Sequence, residues 1–191
     1  DSPYSKSEYE ADDHIGWAQE AAIKDAATDQ YSTIRTVNFG GGFKMNKGHW
    51  YTFVLPFETN VMEVMGAFKQ YISIELLDKD NSGKGVGKFK LIGGEIKANQ
   101  PFLIQIYEYK NLDEVEFVNK EIEYAANPQD VDDDSETKLV GTYKGIIGYN
   151  DEFVKGKQWY MAISNGTWYS SATGYTRPTG AYLDIELNGS E

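Results

Sequence analysis

Short runs of alternating apolar and polar residues fill the chain from Ile34 onward, and this pattern constrains the fold more than any other feature. Successive side chains of a β-strand point to opposite faces, so a two-residue alternation predicts half-buried strands. Gly, Asn and Asp separate the runs, and the only helical spacing in this part is a turn at Val61 to Phe68. The sequence therefore predicts a mainly β fold, an antiparallel β-sandwich or alternatively a β-barrel.

Three runs alternate clearly enough to predict strands with assigned faces, namely Trp50 to Phe57, Pro101 to Tyr107 and Ala181 to Leu187. Pro56 must lie at the end or edge of the first strand, because proline has no N–H to donate to a neighbouring strand. In the first strand, one face carries Tyr51, Phe53, Leu55 and Phe57 and the other carries Trp50, Thr52 and Val54. The residues predicted to point inward in the other two strands are Phe102, Ile104, Ile106, Leu183, Ile185 and Leu187. The last strand is predicted to have one wet face, formed by Tyr182, Asp184 and Glu186.

The pair Asn165-Gly166 predicts a hairpin across Trp159 to Ser170, because these residues accept positive φ at both central positions of a two-residue turn. With this loop, Ile163 faces Trp168 and Ala162 faces Tyr169. The predicted faces are Trp159, Met161, Ile163 and Trp168 on one side and Tyr160, Ala162 and Tyr169 on the other. Since both faces carry aromatic rings, at least one must be covered or must bind a ligand.

The N-terminal part of the chain differs from the rest in composition. From Asp12 to Gln30 it is rich in Ala and charged residues, with Ile15, Ala18, Ala22 and Ala26 at helical spacing and Asp12 or Asp13 as a cap. We predict one short helix here, which lies on the body because its apolar side chains are mostly small. The chain is thus divided into an N-terminal extension, residues 1–33, and an antiparallel β domain, residues 34–191.

Charge and composition exclude several classes of protein. The formal net charge is -12 at pH 7, which argues against nucleic acid and anionic lipid as partners. The chain has no cysteine, so it has no disulfide, thiolate nucleophile or cysteine metal site. No run approaches the roughly 18 apolar residues of a membrane span, and the first residues lack the regions of a signal peptide. We expect any signal or anchor to have been removed, or the chain to be part of a longer one.

Asp78 to Gly83 matches the first six positions of a calcium loop, with oxygen ligands at alternate positions followed by Gly. Phe89 stands where the loop needs its bidentate acid, so the match is incomplete. The side chains that would hold calcium are Asp78, Asp80 and Ser82. The alternative is an ordinary β-turn within an exposed loop, Asp78 to Gly87, and this alternative is favoured. A second exposed loop, Ala125 to Glu136, carries an acidic run that is typical of a solvated segment.

No set of residues predicts an active site. Asp184 and Glu186 lie two positions apart, roughly 7 Å on one strand face, which falls within the spacing of glycosidase carboxylates. Such pairs are routine on a solvated strand. His14 and His49 are the only histidines, and neither stands in a metal-ligand spacing or beside a nucleophile. We therefore predict that the chain is not an enzyme and requires no cofactor.

Several phrases resemble a β-rich module that recurs in secreted and cell-surface proteins of Bacteroidetes. In chain order they are WYTFVLPFE (from Trp50), IKANQPFL (from Ile96), Gly141-Thr142-Tyr143, the Trp159-Tyr160 hairpin and RPTGAYL (from Arg177). The last phrase departs from the group, because Arg177 is separated from Ala181-Tyr182. The resemblance covers roughly residues 34–187 and implies an extracellular or cell-surface, non-enzymatic module with no catalytic residues to carry over.

The surplus of aromatic residues leads to the functional hypothesis. The candidate ligand-binding side chains are Trp50, Tyr160, Trp168, Tyr169 and Tyr175, which cannot all be interior. Tyr and Trp rings stack on sugars, and they also recur at protein interfaces. We predict a non-catalytic binding or adhesion module whose ligand is a glycan or a protein. A structural spacer within a longer chain is the alternative, and a polysaccharide hydrolase is the least favoured.

Overall fold

The computed structural model describes residues 14–15, 20–39, 43–129, 136–149, 154–162, 165–171 and 173–186. It contains helices α1 (Glu20–Ala27) and α2 (Val61–Phe68) and one 3₁₀ turn (Leu112–Glu114). The first strands are β1 (His14–Ile15), β2 (Ile34–Asn38), β3 (Lys44–Met45), β4 (Trp50–Phe53), β5 (Thr59–Asn60), β6 (Ile72–Leu77), β7 (Phe89–Ile92), β8 (Glu95–Ile96) and β9 (Phe102–Ile106). They are followed by β10 (Lys110–Asn111), β11 (Glu116–Glu121), β12 (Thr137–Thr142), β13 (Ile146–Tyr149), β14 (Gln158–Met161), β15 (Trp168–Ser170), β16 (Thr173–Thr176) and β17 (Gly180–Ile185).

A central antiparallel sheet in the order β4-β9-β6-β7 positions the other layers. Its register pairs Phe53 with Phe102 and Ile74 with Ile104. These four side chains are buried in the main core, whereas Leu103 of β9 points to the other face and is buried in a second core. The central sheet therefore carries apolar side chains on both faces and must be covered twice.

The main core is closed by the N-terminal sheet, β1-β2-β11, and by the two helices. Phe39, just after β2, meets Phe53 of the central sheet edge-to-face at 6.3 Å and Phe117 of β11 at 6.2 Å. The turn at Val61 to Phe68 is a full two-turn helix. Its first turn is capped by the Asn60 side chain, which accepts a hydrogen bond from the Glu63 N–H at 2.8 Å.

The second core is closed by another antiparallel sheet, here called the second sheet, in the order β12-β17-β14-β15. Its inward residues pack on Leu77 and Leu103 of the central sheet and are Leu139, Met161, Ala181 and Leu183. An outer ribbon, β13-β16, lies on the far side of the second sheet, where a Cβ added to Gly174 would stand 2.6 Å from the Tyr160 ring. The stacked layers confirm the mainly β, sandwich-like fold, and every sheet formed by the described residues is open rather than closed into a barrel.

The short helix predicted within Asp12 to Gln30 forms and spans Glu20–Ala27. Ile15 was expected on this helix, but it lies in β1 and pairs in parallel with Val37 of β2. β1 adds to the edge of β2 that β11 leaves open, where the backbone of this segment finds hydrogen-bond partners. Asp12, Asp13 and Ala18 lie outside the described residues. Ala22, Ile23 and Ala26 are fully buried in the main core, so this helix helps to build the core and does not only lie on the body.

The hairpin is confirmed, but its predicted register is wrong by one residue on each strand. Met161 pairs with Trp168 and Tyr160 pairs with Tyr169, and the Ala162 N–H donates to the Thr167 carbonyl at 2.8 Å, whereas the prediction paired Ile163 with Trp168 and Ala162 with Tyr169. The Asn165 side chain closes the hairpin loop by accepting hydrogen bonds from the N–H and hydroxyl of Thr167. Because the partner of each residue changes by two positions, an even number, the faces assigned to Tyr160, Trp168 and Tyr169 are unchanged.

The three predicted strands form, with shorter bounds. The first strand ends at Phe53, and the segment from Val54 to Phe57 continues as buried chain, in which the Pro56 carbonyl accepts a hydrogen bond from Glu123. In the first run both faces are buried, since Thr52 and Val54 are as inaccessible as Tyr51 and Phe53. The predicted inward residues of the second strand are buried, as is Leu183. Ile185 is half-buried, and Leu187 lies outside the described residues. Neither described helix is long and apolar enough to cross a bilayer.

The packing of the outer ribbon on Tyr160 can be tested by Gly174→Ala. The new methyl carbon would stand 2.6 Å from the Tyr160 ring, which is 0% exposed. This overlap is expected to lower the free energy of unfolding by about 1–3 kcal/mol. Gly66→Ala, in α2 with open space around it, is the control and should stabilise the chain by up to about 1 kcal/mol. Urea unfolding followed by circular dichroism measures both. Equal stability of the two variants would contradict the packing of the ribbon.

Candidate ligand-binding site

Two of the five predicted ligand-binding residues, Trp50 and Trp168, lie between the central and second sheets. Trp50 begins β4 and pairs with Gln105, and its half-buried ring packs against the second core. Trp168 stacks on Phe89 of β7, with ring centroids 5.8 Å apart and planes 18° apart. Both indoles are half-buried and contribute packing as well as surface.

Tyr160 belongs to the interior. Its ring is 0% exposed and lies 5.4 Å from Tyr169 and 6.4 Å from Tyr182, beneath the outer ribbon. Burial, together with the neighbouring Tyr169, raises the pKa of Tyr160 to about 12. A ring without exposed surface cannot stack on a ligand, so Tyr160 is a core residue. Tyr169 is half-buried, and Tyr175 pairs with Ile147 in the ribbon, its side chain lying outside what the structure describes.

The second sheet covers only part of the central sheet, and the uncovered part forms a surface that we call the open sheet face. In this part of the sheet, Ser73 of β6 pairs with Gln105 of β9. Glu75 of β6 pairs with Leu103 of β9 on one side and with Leu91 of β7 on the other. Tyr71 and Tyr107 flank the ladder just beyond the Ile72–Ile106 pair. The open sheet face is defined by Tyr71, Ser73, Glu75, Leu91, Gln105 and Tyr107. Its exposed apolar surface is large for side chains on a sheet, with Tyr71 81%, Leu91 68% and Tyr107 51% exposed.

Tyr107 is held in place by a hydrogen bond of 2.6 Å between its hydroxyl and that of Ser73 on the neighbouring strand. Its backbone is fixed as well, because the Gln70 side chain accepts hydrogen bonds from the N–H groups of Tyr107 and Glu108, both at 2.9 Å. A ring tied at both ends loses little conformational entropy when a ligand binds. Tyr107 is therefore a preorganised aromatic surface.

Glu75 is the charged residue of the open sheet face. Its carboxylate is half-buried, and none of the described residues donates a hydrogen bond or an ion pair to it. Burial raises the pKa of Glu75. Removing a carboxylate from water without a partner costs free energy, and such groups are concentrated at functional sites.

The tip of the β14–β15 hairpin borders the open sheet face and positions Trp50. Gly166 has φ +67°, and a Cβ added to it would lie 2.5 Å from the Trp50 backbone nitrogen. Gln105 donates a hydrogen bond of 2.8 Å to the Gly48 carbonyl, which ties the same end of β4 to β9. The close contact of Gly166 with Trp50 and the hydrogen bond of Gln105 thus fix this end of β4.

The proposed calcium ligands lie in the β6–β7 loop, where two of the three already have partners. Asp78 accepts a hydrogen bond of 2.7 Å from the Asn81 amide, which lowers the pKa of Asp78. The Ser82 hydroxyl accepts one of 2.9 Å from the Lys88 N–H, and Asp80 is exposed. These contacts are those of a turn that closes a hairpin. No group of three or more acidic or histidine side chains in the described ranges is arranged to hold a metal ion, and calcium binding stays a prediction.

Asp184 and Glu186 differ from the predicted wet pair. Asp184 is half-buried, because β17 is an inner strand of the second sheet, and its carboxylate forms an ion pair with Lys157. Glu186 is exposed, and its backbone N–H donates to the Glu136 carbonyl at 2.7 Å. The ion pair gives Asp184 a structural role. Of the acidic run, only Glu136 lies within the described residues.

A polar cleft of about 330 Å³ lies on the other side of the molecule, where α2 meets β11. Glu63 accepts hydrogen bonds from the Thr59 hydroxyl at 2.5 Å and from Lys120 at 2.7 Å. The Lys120 ammonium also stands 5.3 Å from the centre of the Phe57 ring. We call this surface the acidic cleft, and its other acidic residues are Glu58, Glu95, Glu121 and Glu123. Its ion pair joins β11 to the helix.

The sequence pattern missed most of the open sheet face. The alternation that assigned Phe102, Ile104 and Ile106 to one side also places Gln105 and Tyr107 on the other. What it lacked was the pairing of β9 with β6, which brings Ser73 and Glu75 beside them. Strand pairing is a long-range property that alternation within one strand does not contain.

No protein-family model, no curated protein and no solved structure matches this chain. The predicted relation to the Bacteroidetes module consequently stays a prediction, based on the sequence phrases.

The contact between the tip of the β14–β15 hairpin and β4 can be tested by substituting two glycines of positive φ. Gly166→Ala and Gly156→Ala both introduce left-handed strain, of about 1–2 kcal/mol each. Gly156 has open space around it, whereas Gly166 lies against the Trp50 backbone, so Gly166→Ala should lose about 1 kcal/mol or more in addition. Chemical unfolding followed by tryptophan fluorescence gives the difference. Equal losses would show that the tip does not rest on β4.

Proposed function

We propose that this chain is a non-catalytic carbohydrate-binding module of a secreted or cell-surface protein, and that the open sheet face is its binding surface. The observation that carries the proposal is the combination, at the ends of two paired strands, of an anchored aromatic ring, a second exposed ring and a carboxylate that receives no hydrogen bond from the described residues. Tyr107 supplies a fixed ring, Tyr71 a second exposed ring and Glu75 an acceptor. Sites on strands are more rigid than sites on loops.

A sugar fits the chemistry of this surface. The C–H faces of a pyranose ring pack on tyrosine rings, while its hydroxyls need hydrogen-bond partners close by. Leu91 is the one large aliphatic residue of the open sheet face, and the remaining members are aromatic or polar. A protein partner would be expected to meet a larger apolar centre. A flat, polar and aromatic face favours a polysaccharide chain lying across the strands.

The non-catalytic part of the proposal is supported by the carboxylates. Glycoside hydrolysis uses two carboxyl groups roughly 5 to 9 Å apart. Glu75 is the single acid of the open sheet face, and its cross-strand neighbours are the leucines Leu103 and Leu91. Asp184, the other acid considered from the sequence, is engaged by Lys157.

Binding can be tested by titrating neutral and charged polysaccharides into the purified chain and following heat or tryptophan fluorescence. Tyr107→Ala should weaken binding about tenfold or more, because it removes the fixed ring. Tyr107→Phe keeps the ring and loses the bond to Ser73, so it should weaken binding less. Tyr31→Ala is the matched control, since Tyr31 is 85% exposed and lies before β2, outside the central sheet.

The proposal fails if the chain binds none of the polysaccharides. It also fails if Tyr31→Ala weakens binding as much as Tyr107→Ala, because the effect would then not come from the open sheet face.

A further inference from the structure

On the open sheet face, the residues beside Glu75 on the neighbouring strands are apolar. Across the strands its neighbours are Leu103 on β9 and Leu91 on β7. The carboxylate is half-buried and receives no hydrogen bond from the described part of the chain. A partly desolvated charge without a partner is an open position for a ligand group of opposite charge.

Three other polar side chains of the open sheet face have partners within the protein. The Ser73 hydroxyl bonds that of Tyr107, and the Gln105 amide donates to the Gly48 carbonyl. Tyr71 adds an exposed hydroxyl, and Glu75 is the charged group of this face that a ligand can meet. An ionised carboxylate only accepts hydrogen bonds, so the ligand group that meets it must be a donor.

We propose that the open sheet face selects saccharides that carry a free amine, with the ammonium group of an amino sugar forming an ion pair with the Glu75 carboxylate. This inference rests on the proposed carbohydrate binding. A hydroxyl can donate to the same carboxylate, but it leaves the charge uncompensated. An ammonium donor adds the attraction between opposite charges to the hydrogen bond, and this attraction is stronger where the carboxylate is partly removed from water.

Two further observations point the same way. Burial raises the pKa of Glu75, which reflects a charge that the free protein stabilises poorly and that a cation would stabilise. The chain as a whole has a formal net charge of -12, which repels uronic acids and attracts cationic chains.

Three β-1,4-linked hexasaccharides that differ only at carbon 2 test the inference: those of glucosamine, glucose and N-acetylglucosamine. In calorimetric titrations at a pH where the amine is protonated, the glucosamine hexamer should bind about tenfold more tightly than the glucose hexamer. Glu75→Gln should abolish this preference and change binding of the glucose hexamer by less than about threefold.

Glu121→Gln is the control for general attraction to an acidic protein. It removes the same charge from an exposed residue that lines the acidic cleft. Its expected effect on the glucosamine hexamer is below about twofold, since Glu121 lies on the N-terminal sheet rather than on the central one.

The possible failures are distinguishable. If the glucose and glucosamine hexamers bind equally and Tyr107→Ala weakens both, the proposed function stands and the amine preference is wrong. A preference that survives Glu75→Gln, or that Glu121→Gln reduces as strongly, also overturns it. If no hexasaccharide or longer polysaccharide binds, the proposed function fails together with the inference.

Discussion

Burial of apolar side chains on both faces of the central sheet is the constraint on which the rest of the structure depends. In β9, the side chains of Phe102, Ile104 and Ile106 lie in the main core, and that of Leu103 lies in the second core. All four residues are 3% exposed or less. Each such side chain contributes about 1.5–3 kcal/mol when removed from water. A sheet of this kind needs a layer on either side, and the N-terminal sheet with its helices provides one and the second sheet provides the other.

The candidate site follows from incomplete coverage of one face. The second sheet packs where the central sheet offers Leu77 and Leu103, and Trp168 extends that cover onto Phe89. Beyond this border lie Ser73 and Gln105 on the same strands and Tyr71 and Tyr107 just outside them, with Ser73 bonded to Tyr107. The buried side of the strands makes the uncovered side rigid. An exposed face that shares its strands with the core is therefore a stable support for ligand binding.

The alternation of residues predicted the mainly β fold, three strands and one hairpin, because burial on one face is a local property of a strand. Other strands, among them β6 and β11, were not assigned from it. It could not predict which strand lies beside which. Tyr160 shows the consequence, because it was a candidate ligand-binding residue, yet the outer ribbon covers its ring through Gly174. Glu75 shows the converse, because the alternation within β6 contains no information on its cross-strand neighbours, Leu91 and Leu103. The β1 pairing with β2 likewise displaced a helical pattern through a contact between distant segments.

The central claim, that the open sheet face is where a saccharide binds, is tested most directly by mapping amide chemical shifts in ¹⁵N spectra during titration with the glucosamine hexamer. If the saccharide binds the open sheet face, the shifts should concentrate in β6 around Ser73 and Glu75, in β7 at Leu91, and in β9 at Gln105 with the following Tyr107. Shifts concentrated instead around Glu63 and Lys120, in the acidic cleft, would contradict it, because the cationic ligand would then be bound by charge alone at another surface.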